Sequence, residues 1–181
     1  MDRSIKADLY RYDGLEGFKG LLRGLSDSGF RYTYFLRKVM RHKAVSPIGF
    51  FYRIMKRLFT YRGYHISNEA QIGPGFSLYH RGTVYIGPIK IGKNCTVSHN
   101  VVVGRSYKKG VFGRPTLGDN VWIGTGAVVV GPVNIGNDVL IAPNAFVNFD
   151  VPDHSLVLGN PGKIIAKENP TKHYITYTLE Y

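Results

Sequence analysis

Residues 117–147 read LGDNVWIGTGAVVVGPVNIGNDVLIAPNAFV, and an aliphatic side chain returns at every sixth position. Leu117, Ile123, Val129, Ile135, Ile141 and Val147 keep that beat without a miss. Neither the 3.6-residue period of a helix nor the two-residue period of an amphipathic strand produces it. A hexapeptide β-helix does: six residues make a short strand and a turn, three such units close a triangular coil, and coils stack. Upstream the beat runs Ile66, Ile72, Leu78 and Val84, slips by one residue near Pro88, and resumes at Ile91, Val97 and Val103. These thirteen beats predict about four coils. Small residues after the beat, as in Ile72-Gly73 and Ile123-Gly124, leave room at the corners, and Asn94, Asn120 and Asn137 suit tight turns. An antiparallel sandwich would need hairpin signals that the chain lacks. The expected fold is mainly β: a β-helix over 65–166, a protruding loop at 104–116, a basic and largely helical region at 1–64, and a tail at 167–181.

The bulk composition is that of a folded protein, with 44% hydrophobic and 20% charged residues in a chain of 181. The single cysteine, Cys95, permits no intrachain disulfide and fits a reducing compartment. No secretory signal or membrane-spanning run is legible, so a cytoplasmic protein is expected. Charge is lopsided: residues 1–66 hold 14 Lys and Arg against five acidic residues, nine of the chain's net +12. In GFFYRIMKRLFTYRGY (49–64), residues 51, 54, 55 and 58 share one helical face among Arg53, Lys56, Arg57 and Arg62, with Phe50 and Phe59 nearby. Two readings stand: packing on the first coil or another subunit, or peripheral contact with an anionic membrane at its inner face. Nucleic acid is not expected, since no recognition motif accompanies the charge.

The register gives the histidines addresses. His80 lies two residues after Leu78 and His99 two after Val97, so the imidazoles project from one wall, one coil (about 4.8 Å) apart. The insertion GRSYKKGVFGRPT, between Val103 and Leu117, is too long for one coil edge and loops out. It is expected to leave the region that carries His99. Trp122, beside a beat on the outer wall, is expected to pack between subunits.

Four segments together resemble the hexapeptide-repeat acyltransferases, in particular the serine acetyltransferase-like branch with its capsular and exopolysaccharide O-acetyltransferases. They are IGPGFSLYH, IGKNCTVSHNVVVG, RPTLGDNVWIGTGAVVVGPVNIGNDVLIAPNAFV and VPDHSLVLGNPGKII. The likeness covers 64–166 and extends loosely to YDGLEGF…SGFRYTYFLRK, similar to the family's helical lead-in. It implies a left-handed parallel β-helix, a homotrimer, acetyl-CoA between adjacent subunits and no metal. His80 matches the family's catalytic base, which takes a proton from an acceptor hydroxyl. His99 is expected to bind the acceptor or modulate His80. Asp13 loosely matches a serine-contacting aspartate, and Tyr79, Arg81 and Arg114 are further candidates for holding the acceptor. The turns Gly124-Thr125-Gly126-Ala127, Ala142-Pro143-Asn144-Ala145 and Gly159-Asn160-Pro161 match the cofactor turns, with Lys163 and Lys167 for CoA phosphates.

Three departures from the family pattern weigh against L-serine or leave the base unsupported. Tyr79 replaces an aspartate, Arg114 replaces a histidine before Pro115, and His65 stands where a carboxylate usually orients the base. The expected acceptor is therefore a sugar hydroxyl of a surface-polysaccharide precursor, free or lipid-linked, with L-serine as the alternative. A non-catalytic β-helix scaffold is the rival of another class. The zinc carbonic anhydrase branch of the same fold needs a third histidine beside His80 and His99, and none has a suitable address.

Overall fold

The computed structural model describes residues 2–60, 63–108 and 110–179, without the side chains at 59 and 60. Arg62 and the Phe59 side chain, placed above on the basic amphipathic element, lie outside the described residues. Four helices come first: α1 (Arg3–Tyr10), α2 (Gly17–Gly24), α3 (Ser28–Arg41) and α4 (Pro47–Thr60). A parallel β-solenoid follows. Its first face stacks Tyr64–Ile66, Val84–Ile86, Val101–Gly104, Val128–Val130 and Phe146–Val147. The second stacks Gln71–Ile72, Lys90–Ile91, Thr116–Leu117 and Asn134–Ile135, continued by a bridge to Val151. The third stacks Ser77–Leu78, Thr96–Val97, Val121–Ile123, Val139–Ile141 and Ser155–Leu158.

These faces make five coils, one more than the beats suggested. Phe146–Val147, the Val151 bridge and Ser155–Leu158 form the last, in which the spacing shortens: Val151 pairs with Ile135 and Val157 with Ile141. The register of the first coils also differs from the simple beat. On the first face Ile86, not Val84, aligns with Ile66 and Val103. The turn after Leu78 is therefore two residues longer than a plain hexapeptide, and the turn at Gly87–Pro88 one shorter. The expected single insertion near Pro88 is the net of these two changes, and the extra residues fall at Tyr79–Thr83.

Inside the prism the aliphatic side chains form one continuous core from Ile66 and Leu78 to Val147 and Val157. At the corner between second and third faces, coils approach so closely that a Cβ on Gly92 would lie 2.4 Å from the Gly118 carbonyl oxygen. Side-chain oxygens continue that ladder: Asp119 accepts from the Lys93 N–H at 2.7 Å and Asn137 from the Asp119 N–H at 2.8 Å. Asn94 and Asn120 are left-handed there, as expected, but in the next coil the left-handed residue is Asp138 rather than Asn137.

The helices close the top of the solenoid, whose first coil would otherwise expose unpaired backbone groups. Tyr32 Oη accepts from the Ile66 N–H (3.0 Å), and Lys56 Nζ donates to the Ile66 carbonyl (2.6 Å) and to Asn68 Oδ1 (2.5 Å). Arg37 donates to the Ile72 and Gly73 carbonyls while forming a two-pronged ion pair with Asp8, which accepts from the Phe76 N–H. Burial, reinforced by Arg53, pulls the Lys56 ammonium down from 10.5 to about 8. The folded protein thus sheds this proton near pH 8, whereas the unfolded lysine keeps it to about 10.5. Unfolding takes up a proton between those values, so this group's contribution to stability rises with pH across that window. Denaturant titrations at pH 8 and pH 10 should show that rise in wild type relative to Lys56→Met. Identical pH dependence in the two proteins would refute it.

The C-terminal segment turns back. Lys163–Ala166 pairs antiparallel with Ser155–Leu158, Thr171 donates to Asp138, and Tyr174 packs on Trp122 with ring centroids 4.7 Å apart. Trp122 is thus half-buried beneath the chain's own tail. Tyr177 reaches α1, 6.2 Å from the Tyr10 ring.

Candidate active site

The corner between the third and first faces carries most of the residues singled out from the sequence. The Leu78–Val97 register puts His80 and His99 in successive coils, and their ring centroids are 5.6 Å apart at near-perpendicular planes. Both sit on the corner, not on the flat wall. His80 adopts a left-handed backbone (φ 63°), whereas in the coils below the left-handed residue stands one position later, at Asn100, Gly126 and Asn144. What sets His80 apart is the enlarged turn, which pushes Tyr79, His80 and Arg81 outward into exposed positions.

That turn is pinned from below and above. The Tyr79 N–H donates to the Val97 carbonyl (2.9 Å), and buried Tyr64 donates through Oη to the His80 carbonyl (3.0 Å). Tyr12 accepts from the Leu78 N–H (3.2 Å) and donates to the Leu78 carbonyl (3.4 Å). A Cβ on Gly29 would lie 2.4 Å from the Leu78 carbonyl oxygen, so only glycine lets the start of α3 sit so close. The helices that cap the solenoid therefore also build the wall opposite His80. Between them lies a cavity of about 270 Å³ lined by Arg11, Tyr12, Asp13, Asp27, Ser28, Gly29, Leu78, Tyr79, His80 and Arg81.

Asp13, Tyr79 and Arg81 thus join His80, as the sequence suggested. Arg11, Tyr12 and Asp27 were missed. Arg11 is anchored by Thr96 Oγ1 (2.9 Å) and the Asn94 carbonyl (3.0 Å), and Asp27 caps α3 by accepting from the Gly29 and Phe30 N–H groups. The aspartate ahead of Ser28-Gly29-Phe30 was a legible N-cap signal, though not one for a site. Burial lowers the Arg11 guanidinium and pushes the Tyr12 hydroxyl well up, so Tyr12 stays a neutral hydrogen-bonding group.

Below His99 the same edge continues through the expected cofactor turns. The Gly126 N–H donates to the His99 carbonyl (3.1 Å), Thr125 Oγ1 lies 3.4 Å from His99 Nδ1, and the Asn144 N–H donates to the Thr125 carbonyl (2.8 Å). Gly159, Asn160 and Pro161 complete the column, with a cis bond between the last two. The corner glycines have a structural cause of their own: a Cβ on Gly124 would meet the Pro143 nitrogen at 2.5 Å, and one on Gly126 the Asn144 Oδ1 at 2.2 Å. Ala127 and Ala145 belong to the core, and Ala142 is buried beside it, so their side chains are not available to a ligand. Asn144, Asn160, Pro161 and Lys163 are exposed along the edge.

Lys167 and Arg114 fall elsewhere. Lys163 pairs with Leu158 beside the cofactor turns, but Lys167 sits at the far end of its strand, where its N–H donates to the His154 carbonyl. The loop leaves after Gly104, at the opposite end of Val101–Gly104 from His99, correcting the expected shared region. It folds as a hairpin of Ser106–Lys108 with Val111–Gly113 and is tied to Asp150 by Lys108 (3.0 Å). Arg114 is exposed at that second corner, and His65 lies on the outside of the first face opposite Tyr85. Neither lines the His80 cavity.

Residues 114–148 match the family model described as bacterial transferase hexapeptide (six repeats). The serine acetyltransferase of Mycobacterium tuberculosis is 39% identical over 110 residues, 60% of this chain and 48% of that protein. Among solved structures, the serine acetyltransferase of Neisseria gonorrhoeae in complex with serine superposes with a TM-score of 0.70 at 29% identity, covering 88% of this chain and 67% of the other. Soybean serine acetyltransferase apoenzyme gives 0.74 at 26%, covering 90% and 67%. The chain thus carries hexapeptide repeats over 114–148 and a serine acetyltransferase-like fold. The chain spans about half the length of the curated Mycobacterium relative, and its likeness to the solved serine acetyltransferases takes in the capping helices as well as the solenoid.

Proposed function

We propose that the chain is an acetyl-CoA-dependent O-acetyltransferase with His80 as general base and a small hydroxyl-bearing acceptor, L-serine first. The observation that carries this reading is His80 at a cavity of about 270 Å³ furnished with both signs of charge. Asp13 and Asp27 suit an ammonium group, and Arg81 with Arg11 suits a carboxylate. The relatives' names, and the serine held by the Neisseria protein, support the same acceptor.

In this reading His80 takes the hydroxyl proton as the acceptor oxygen bonds the thioester carbonyl carbon. When the carbon–sulfur bond breaks, His80 returns the proton to the departing thiolate. Holding both reactants against the corner supplies much of the remaining gain. Asn144, Asn160, Pro161 and Lys163 line the edge proposed for the CoA arm, which the flush glycine corners leave smooth. A homotrimer fits an outer first face carrying Tyr85, Val102, Val128 and Phe146.

A sugar hydroxyl remains the second reading, because the exposed Tyr79 ring beside His80 offers a platform where the family carries an aspartate. CoA release from acetyl-CoA, measured with L-serine and with a panel of free and lipid-linked sugars, separates the two. Turnover with L-serine is expected. Turnover with sugars alone would transfer the role to the second reading, and none with any acceptor would overturn the assignment.

A further inference from the structure

The α4 helix buries one side and leaves the other bare. Gly49 and Lys56 are buried, and Tyr52 packs on Phe35 and His42 at ring distances of 6.3 and 5.4 Å. Opposite them, Phe51, Ile54 and Leu58 are 53%, 45% and 58% exposed, with Ile48 and Phe50 at 50% and 62% beside them. Sequence reading recognised this apolar face, and within the single chain it is turned away from the first coil. Arg57 is exposed on the helix and Lys43 in the turn before it, and no acidic residue occurs from position 28 to 68.

Five large apolar side chains on a helix that carries cations and no carboxylate of its own define the partner by its chemistry. A second copy meeting this face two-fold would set Lys43 and Arg57 against their own like charges. Nucleic acid offers phosphates but a place for apolar side chains only by unstacking its bases, at an energetic cost for each step. An anionic bilayer surface offers both. We propose that α4 is a membrane-surface anchor, lying in the plane of an anionic bilayer with Phe51, Ile54 and Leu58 at the acyl boundary and Lys43 and Arg57 among the lipid phosphates. The helix, at 14 residues, is an interfacial element, and among the described residues no helix is long and apolar enough to cross a membrane. Anchoring is separate from acetyl transfer and stands or falls without it.

The test is co-sedimentation of the full chain with phosphatidylcholine vesicles made with and without phosphatidylglycerol, with the mass in solution followed by light scattering. Binding only to the anionic vesicles is expected, weakening with salt. Arg57→Ala should lower the partition coefficient roughly fivefold, the share of one basic residue near an anionic surface. Phe51→Glu and Leu58→Glu, both at exposed positions that leave the core untouched, should each lower it more than tenfold with unchanged circular dichroism. No binding to anionic vesicles, or equal binding by the Glu variants, overturns the proposal. A change of mass in the Glu variants without vesicle binding by wild type also overturns it, making the face a contact between copies.

Discussion

His80→Ala is expected to lower kcat for acetyl transfer by about 10²- to 10⁴-fold, the usual contribution of a positioned general base. The loss should fall on kcat, with KM for acetyl-CoA little changed, because Asn144, Asn160 and Lys163 on the proposed CoA edge are untouched. The corner itself should survive the substitution: its ties to Tyr64 and Val97 run through the backbone carbonyl of His80 and the N–H of Tyr79, not through the imidazole. Steady-state CoA release with the best acceptor, beside a thermal melt, is the measurement. An Ala variant that keeps activity within tenfold while folding normally would remove His80 from the chemistry and leave the cavity as a binding site alone. His99→Ala should lose less, since His99 is held from the side by Thr125 and does not line the His80 cavity.

The largest expected effect on stability comes from a residue far from the chemistry. Asp8 is 1% exposed at its side chain, and its oxygens accept from Arg37 at 2.8 and 3.0 Å and from the Phe76 N–H at 2.9 Å. Asp8→Ala would leave a nearly buried guanidinium without its counter-charge and a buried N–H without an acceptor. Breaking one side of such a pair costs about 3–5 kcal/mol. The same guanidinium holds the Ile72 and Gly73 carbonyls, so the helices should loosen from the first coil together. Urea denaturation should show the loss, whereas Arg41→Ala, which breaks the exposed pair with Asp2, should change stability by less than about 1 kcal/mol. Equal effects from the two would mean that Asp8 is solvated in practice and that the cap is held by apolar contacts.

The six-residue beat was enough to find the solenoid because each beat residue has only one place to go: inward, onto its counterparts above and below. Leu117, Ile123, Val129, Ile135, Ile141 and Val147 stack as their spacing demanded. The pairing of His80 with His99 was legible for the same reason, being a matter of counting from Leu78 and Val97. Where the beat faltered, counting misled. Two added residues at Tyr79–Thr83 and one removed near Pro88 leave a net slip of one, and only the inter-coil hydrogen bonds show where each change lies. That local excess is what lifts His80 and Arg81 off the prism.

The His80 cavity was much less legible. Its far wall comes from Arg11, Tyr12, Asp13 and Asp27, more than fifty residues upstream, and no periodicity ties them to Leu78. Their position follows from hydrogen bonds between side chains of the helical region and the backbone of the first two coils, a long-range fit that depends on three dimensions at once. Likewise Lys163 and Lys167 look equivalent four residues apart, yet a strand carries them to opposite edges of one face. By itself the sequence determined the solenoid, its inward residues and the column of corners, because those follow from a short local repeat. Tertiary structure alone decided which corner became a cavity, which charges entered it and which face of α4 was left to solvent, because each depends on how four irregular helices cap the first coil.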